Sequence, residues 1–216
     1  MPSRSLRVFE GNLLRDVDRL IELHDKLTAT ASGKKGLGHL TRSAFFLLCA
    51  AWEVYVEELL LETTHYFVTL LDSPFELPRE TRKFLSSHVK NNKDESTPLK
   101  LAGDGWKQLL KDIVKTEISS LNTPKTINID PLYSKCCGYK DISSEWTCGS
   151  QYIDDFVRVR GAIAHTGSNA QYIRIGNAKT AIATIKKTTV EMDNALATHI
   201  NAITKKGLPW NRRTIP

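Results

Sequence analysis

Arg158, Arg160 and His165 carry the chemistry most readily read from this chain. They sit in the stretch QYIDDFVRVRGAIAHTG, residues 151–167. Guanidinium groups hold a phosphodiester through paired hydrogen bonds. An imidazole titrates near neutrality and can move a proton. Together they suit attack of a ribose 2′-hydroxyl on its own adjacent phosphate, a reaction that calls for no metal and no other cofactor. The bland alternative is a histidine satisfied by backbone at a helix C-terminus, where its cationic form is also favoured. On an ideal helix, residues seven apart lie within about 20° of each other, so Arg158 and His165 share a face. Residues five apart differ by about 140°, so Arg160 and His165 straddle the helix unless it ends near Ala164. Gly167 suggests such an end.

A fourth candidate lies far upstream. Apolar residues recur at helical spacing over 40–71, on two adjacent edges led by Phe45, Leu48, Trp52 and Tyr55 and by Phe46, Cys49, Val56 and Leu60. Together these edges make a broad buried face. Glu53 is the one charge within it. A carboxylate there needs a partner or must go neutral. It either pairs with an arginine or histidine near the site, or lies at the rim and reaches solvent.

The remaining elements are helical as well. The spacing of Leu13, Val17, Leu20, Leu23 and Leu27 predicts a first helix over 6–27, ending at the loop TATASGKKGLG. That loop lacks the Gly-Lys-Ser/Thr ending of a phosphate loop, and no strand precedes it. Further helices are expected after Pro78 over 77–91, over 105–121 and over 178–203. Between 122 and 148, Pro124, Pro131 and Gly138 predict irregular structure with one short helix over 131–137, and TINI as a short strand without an obvious partner. The sum is an all-α bundle in one domain over 1–216, with its core at about 6–205 and a short, basic, flexible tail at 206–216.

Composition narrows the classes. The chain has 216 residues, 41% of them hydrophobic, enough for a sizeable core. Its formal net charge is +6, and all of the excess falls after residue 173, where eight Lys/Arg meet two Asp/Glu. A basic element of this kind either attracts phosphates or forms a solvated helix face. Cys49 reads as a small buried hydrophobe. The adjacent pair Cys136 and Cys137, with Cys148 eleven residues on, does not match a zinc spacing, so no metal site is expected. The first residues hold no signal-peptide pattern, and the most apolar run, 44–52, is far short of the ~20 residues a membrane span needs. A cytoplasmic protein without membrane contact is the expectation.

The segment VRVRGAIAHTG resembles the Arg-x4–6-His signature of the HEPN superfamily, with Arg160 and His165 as the pair and Arg158 at the six-residue spacing. SAFFLLCAAWEVYVEELL, with its Trp52-Glu53 pair, resembles the long second helix of the prokaryotic defence- and toxin-associated branch. TPKTINIDPLYSKCCGYKDISSEW resembles that branch's middle segment. The resemblance implies an all-α domain that pairs as a homodimer through its motif helices. It further implies a metal-independent endoribonuclease acting on RNA in antiphage defence or a toxin–antitoxin system, with an antitoxin or defence-system protein as partner. By motif, His165 would be the general base, Arg160 would stabilise phosphorane charge, and Arg158 and Glu53 would orient or assist. One position departs from the pattern. Active members commonly carry Asn or Asp after the arginine, where this chain has Gly161; a glycine there permits close packing at a helix contact. Two readings stand beside the nuclease: a non-catalytic HEPN module that binds RNA, a nucleotide or a protein partner, and a plain helical interaction domain.

Overall fold

A computed structural model describes residues 1–29, 36–167 and 173–216. The described residues form helices and turns, with no strand among them. The organising element is α3, Gly38–Leu70, and α2 (Arg15–Ala29), α5 (Gly105–Ser119), α6 (Thr126–Cys137), α7 (Ser150–Thr166) and α8 (Ile175–Thr204) all pack against it. Its buried residues run almost all the way round, among them Leu48, Trp52, Tyr55, Val56, Leu59, Leu60 and Phe67. A helix apolar on nearly every side belongs in the interior. Its buried Thr63 and Thr64 donate to the carbonyls four residues back, which satisfies hydroxyls that would otherwise be costly there.

Polar side chains on and around α3 fix its neighbours. Tyr55 donates to the Thr189 carbonyl of α8 at 2.6 Å, and Tyr133 of α6 donates to the Val56 carbonyl at 2.7 Å. Glu62 accepts from the N–H groups of Arg4 and Ser5 and from the Ser5 hydroxyl. It therefore caps α1, Arg4–Val8, from a distant part of the chain.

Several elements differ from the sequence expectation. The first helix is not continuous, because a π-helical turn at Phe9–Leu13 separates α1 from α2. The wider turn keeps Phe9, Leu14 and Val17 all in the core, while Leu23 and Leu27 are left exposed. The sequence TINI begins α6 instead of forming a strand, and Pro131 lies inside that helix. Ile129 is fully buried, so its packing outweighs the β preference of the isoleucines. Gly138 ends the helix in the left-handed region, at φ 73°. The fourth helix, α4, covers Arg79–Asn91 behind Pro78. Most of the glycine–lysine loop, 30–35, lies outside the described residues.

The tail is also tied down where the sequence suggested flexibility. Trp210 is buried and donates through Nε1 to the Asp193 carbonyl at 3.0 Å. Arg213 and Asn194 exchange two backbone–side-chain hydrogen bonds of 2.8 Å. The C-terminal cations are largely spoken for. Lys179 pairs with Asp25, Lys186 with Asp18, Lys206 with Asp72 and Arg213 with Glu10. Half of the eight cations after residue 173 thus neutralise acids elsewhere in the chain and do not form a free phosphate-attracting patch.

Candidate functional site

Helix α7 begins after Gly149 and anchors itself through Ile153, Phe156 and Val157, all buried. Phe156 packs on Phe45 of α3, with ring centroids 4.9 Å apart. The loop ahead of α7 is held by Glu191 of α8, which accepts from both the N–H and the hydroxyl of Thr147. These contacts fix the first half of the helix. The second half carries Arg158, Arg160, Gly161 and His165 out along a cavity of about 310 Å³. The helix ends at Thr166 and is capped by Gly167 at φ 55°, the end that Gly167 suggested, but it stays helical through His165. Arg160 and His165 therefore sit at different angles on a continuous helix, yet both line the same cavity, as does Arg158.

The opposite wall is the loop Asn122–Thr123–Pro124–Lys125, with Cys49 of α3 also contributing. Two long-range hydrogen bonds hold that loop. Trp52 of α3 donates through Nε1 to the Pro124 carbonyl at 3.2 Å, and the N–H of Thr126 donates to Asp154 of α7 at 2.8 Å. Trp52 is fully buried, with its ring edge-on to Trp146. The aromatic residue beside Glu53 thus supports the cavity wall.

The two arginines differ in their surroundings. Arg158 is exposed and makes two hydrogen bonds to Asp155, at 2.9 and 3.3 Å, one turn back on its own helix. Those bonds hold the Asp155 carboxyl below its usual range. Arg160 is half-buried, and its guanidinium carbon lies 5.1 Å from the centroid of the Phe46 ring. Its Nε–H is shielded from solvent and has no hydrogen-bond acceptor among the described residues. Buried donors of this kind are uncommon and call for an explanation.

Glu53 does not line the cavity, and among the described residues it forms no ion pair within 4 Å. It is nevertheless close enough to Arg160 for their charges to interact. Partial burial raises its carboxyl above the usual value, and Arg160 acts in the opposite direction. Burial also pushes the Cys49 thiol up to about 12, with Arg160 pulling the other way. That cysteine is a packed wall residue and no nucleophile at neutral pH. No group of three His, Cys, Asp or Glu side chains among the described residues is placed to hold a metal ion.

Two features of this site escaped the sequence reading. Lys125 contributes a cation that no helical pattern marks, since it precedes α6 in a proline-containing loop. Asp155 neutralises Arg158; its i,i+3 spacing was the available signal. Gly161 also differs from expectation. Among the described residues, no atom outside its own helical turn lies within 4 Å of where its Cβ would be, so no close approach among them requires a glycine. A larger groove of about 1040 Å³ lies elsewhere, bordered by Arg4, Glu58, Tyr66 and Trp210, and holds none of the motif residues.

The family model described as RiboL-PSP-HEPN matches residues 12–198, which includes α2, α3 and the whole of α7. No curated protein and no solved structure matches.

Proposed function

The chain belongs to the RiboL-PSP-HEPN family, and from that premise we propose that it is a metal-independent endoribonuclease whose site is the α7 cavity. One observation carries the reading: His165, Arg160 and Arg158 line a single cavity, and the Arg160 Nε–H there is desolvated without an acceptor among the described residues. A phosphate oxygen is an acceptor that such a donor suits. In the proposed reaction His165 takes the proton from a ribose 2′-hydroxyl. The 2′-oxygen bonds to the adjacent phosphorus, and the bond from phosphorus to the 5′-oxygen breaks. The leaving oxygen takes up a proton from an imidazolium or from solvent. The products are a 2′,3′-cyclic phosphate and a 5′-hydroxyl. Arg160 stabilises the charge that builds on the phosphoryl oxygens. Arg158, tethered to Asp155, orients the strand, and Glu53 tunes the field around Arg160.

The reading includes a homodimer through α7 and the adjoining edge of α3. Phe46 of α3, over which Arg160 lies, and Ile163 of α7 are only half-buried. An apolar edge left open on the central helix of a bundle suits a partner surface. A defence or toxin–antitoxin role, with an antitoxin or defence-system protein as partner, follows from the branch resemblance. No helix among the described residues is long and apolar enough to cross a membrane, in keeping with the cytoplasmic setting proposed.

The test incubates purified protein with single-stranded RNA in EDTA. Wild type is expected to release fragments ending in 2′,3′-cyclic phosphate, and His165→Ala and Arg160→Ala to lose that activity. Cleavage retained by both variants removes the site, and cleavage abolished by EDTA removes the metal-free mechanism. The second reading, a non-catalytic module that binds RNA, is favoured by Gly161 standing where active members commonly carry a polar residue. RNA binding without product under any condition would select it.

A further inference from the structure

We propose that the Asn122–Lys125 loop forms a second phosphate-binding subsite, with Lys125 contacting the RNA backbone next to the phosphate held by Arg160. The inference rests on the RNA-directed reading of the cavity and assigns a contact that the motif does not contain. Its basis is the state of the cations lining the cavity. The Arg158 charge is largely balanced by Asp155. Lys125 is half-buried, faces the same cavity and makes no ion pair within 4 Å among the described residues. It stands near enough to Asp155 for their charges to interact, but no carboxylate among the described residues lies within ion-pair distance of it, so, like Arg160, it is a cation of this cavity without a direct carboxylate contact.

The backbone under Lys125 is held firmly. Its own N–H donates to the Thr123 carbonyl at 2.9 Å, and the residues on either side are tied to Trp52 and to Asp154. A loop anchored to α3 on one side and α7 on the other gives the lysine a fixed base opposite the motif helix. The N-terminus of α6 is not the receptor, because the Asp154 carboxylate already takes the Thr126 N–H and would repel an anion there. The lysine side chain itself carries the contact. Two cations on facing walls, Arg160 on the helix and Lys125 on the loop, suit a single strand running through the cleft, with successive phosphates on opposite sides.

Binding of a fluorescein-labelled single-stranded 12-mer RNA tests this, measured by anisotropy across a potassium chloride series. A His165→Ala background keeps the RNA intact. Lys125→Gln in that background is expected to weaken binding several-fold at low salt and to reduce the slope of log K against log salt by ~0.7, the value for one phosphate contact on a single strand. Lys83→Gln, on α4 and paired with Glu80, controls for loss of a surface charge and should leave the slope unchanged. The side chain of Lys125 holds no structural hydrogen bond among the described residues, so the variant should fold; its circular dichroism and melting curve check this. An unchanged slope in folded Lys125→Gln overturns the subsite, whatever the cleavage assay shows. Absence of cleavage by wild type, with the Lys125 slope change present, overturns the nuclease reading and leaves the subsite standing.

Discussion

Asp193 should make the folded protein less stable at neutral pH than its asparagine variant. The carboxyl is fully buried on α8, and neither of its oxygens has a hydrogen-bond partner among the described residues. Burial is the main reason its pKa rises from 3.8 to about 6, with Glu62 adding to the rise, while Ser3 and Trp210 reduce it. A folded-state pKa above the unfolded value means that the folded form holds its proton more tightly. The associated stability is fully present below about 3.8 and is lost as pH rises through about 6. A displacement of that size corresponds to about 3 kcal/mol at neutral pH. Asparagine has the same shape without the charge, so Asp193→Asn should recover a gain of that order at pH 7.5. By the same linkage, the gain should shrink to about 1 kcal/mol at pH 4.5, where the aspartate is mostly protonated in the folded state. Urea unfolding of both proteins at the two pH values measures this. A gain equal at both, or none at pH 7.5, would refute the argument, because it would mean that the carboxylate finds a partner or water when folded. The effect also bears on the tail, whose Trp210 donates to the Asp193 carbonyl. Limited proteolysis of residues after 206 should slow in the variant at neutral pH.

Three further outcomes are expected. Gly161→Ala should stabilise the isolated chain by about 1 kcal/mol in urea unfolding, since alanine is the better helix former and, among the described residues, its Cβ would meet no atom outside its own helical turn within 4 Å. Gly161→Leu should weaken self-association in sedimentation equilibrium if α7 is the pairing surface; unchanged association would place the dimer elsewhere. Trp52→Phe should cost about 1–2 kcal/mol, because it leaves the Pro124 carbonyl without its donor. The same change should also weaken RNA binding by loosening the loop that carries Lys125, and normal binding by a destabilised Trp52→Phe protein would show that the loop does not depend on that bond.

The long helices were legible because their apolar residues repeat at helical spacing over many turns. That is why 40–71 and 178–203 correspond closely to Gly38–Leu70 and Ile175–Thr204. Short segments were less so. Prolines and β-branched residues made 122–130 look irregular, with a helix only from 131, but their local preference is overruled by tertiary bonds that no local pattern shows. Asp154 takes the Thr126 N–H at one end of α6, and Asp130 within it takes both the N–H and the hydroxyl of Ser143. The tail misled for a related reason. Its basic composition suggested a free segment, while its order depends on one tryptophan and on an asparagine sixteen residues before it. A π-helical turn such as Phe9–Leu13 shifts the apolar register by one residue, which the continuous pattern over 6–27 conceals.

The choice between the two arginines shows what spacing alone leaves out. Helical angles put Arg158, and not Arg160, on the His165 face. On a surface helix, however, the position of a guanidinium matters less than whether its charge is available. Arg158 turns back to Asp155 and spends its charge on its own helix. Arg160 leans over the face of Phe46, where no carboxylate among the described residues forms an ion pair with it within 4 Å. The ring quadrupole offsets part of its desolvation without neutralising it. Glu53 stands near enough to be felt but too far to form a bridge, and its own burial disfavours its charge. Arg160 therefore keeps a positive charge and an unmet donor at the cavity, as a group that binds a phosphate needs. A carboxylate brought into direct contact would cancel that. Phe46→Asp, which would place an acid under the guanidinium, should depress RNA binding more than Phe46→Ala, which removes only the ring. Equal losses in anisotropy titrations of the two variants would show that the Arg160 charge is not what holds the strand.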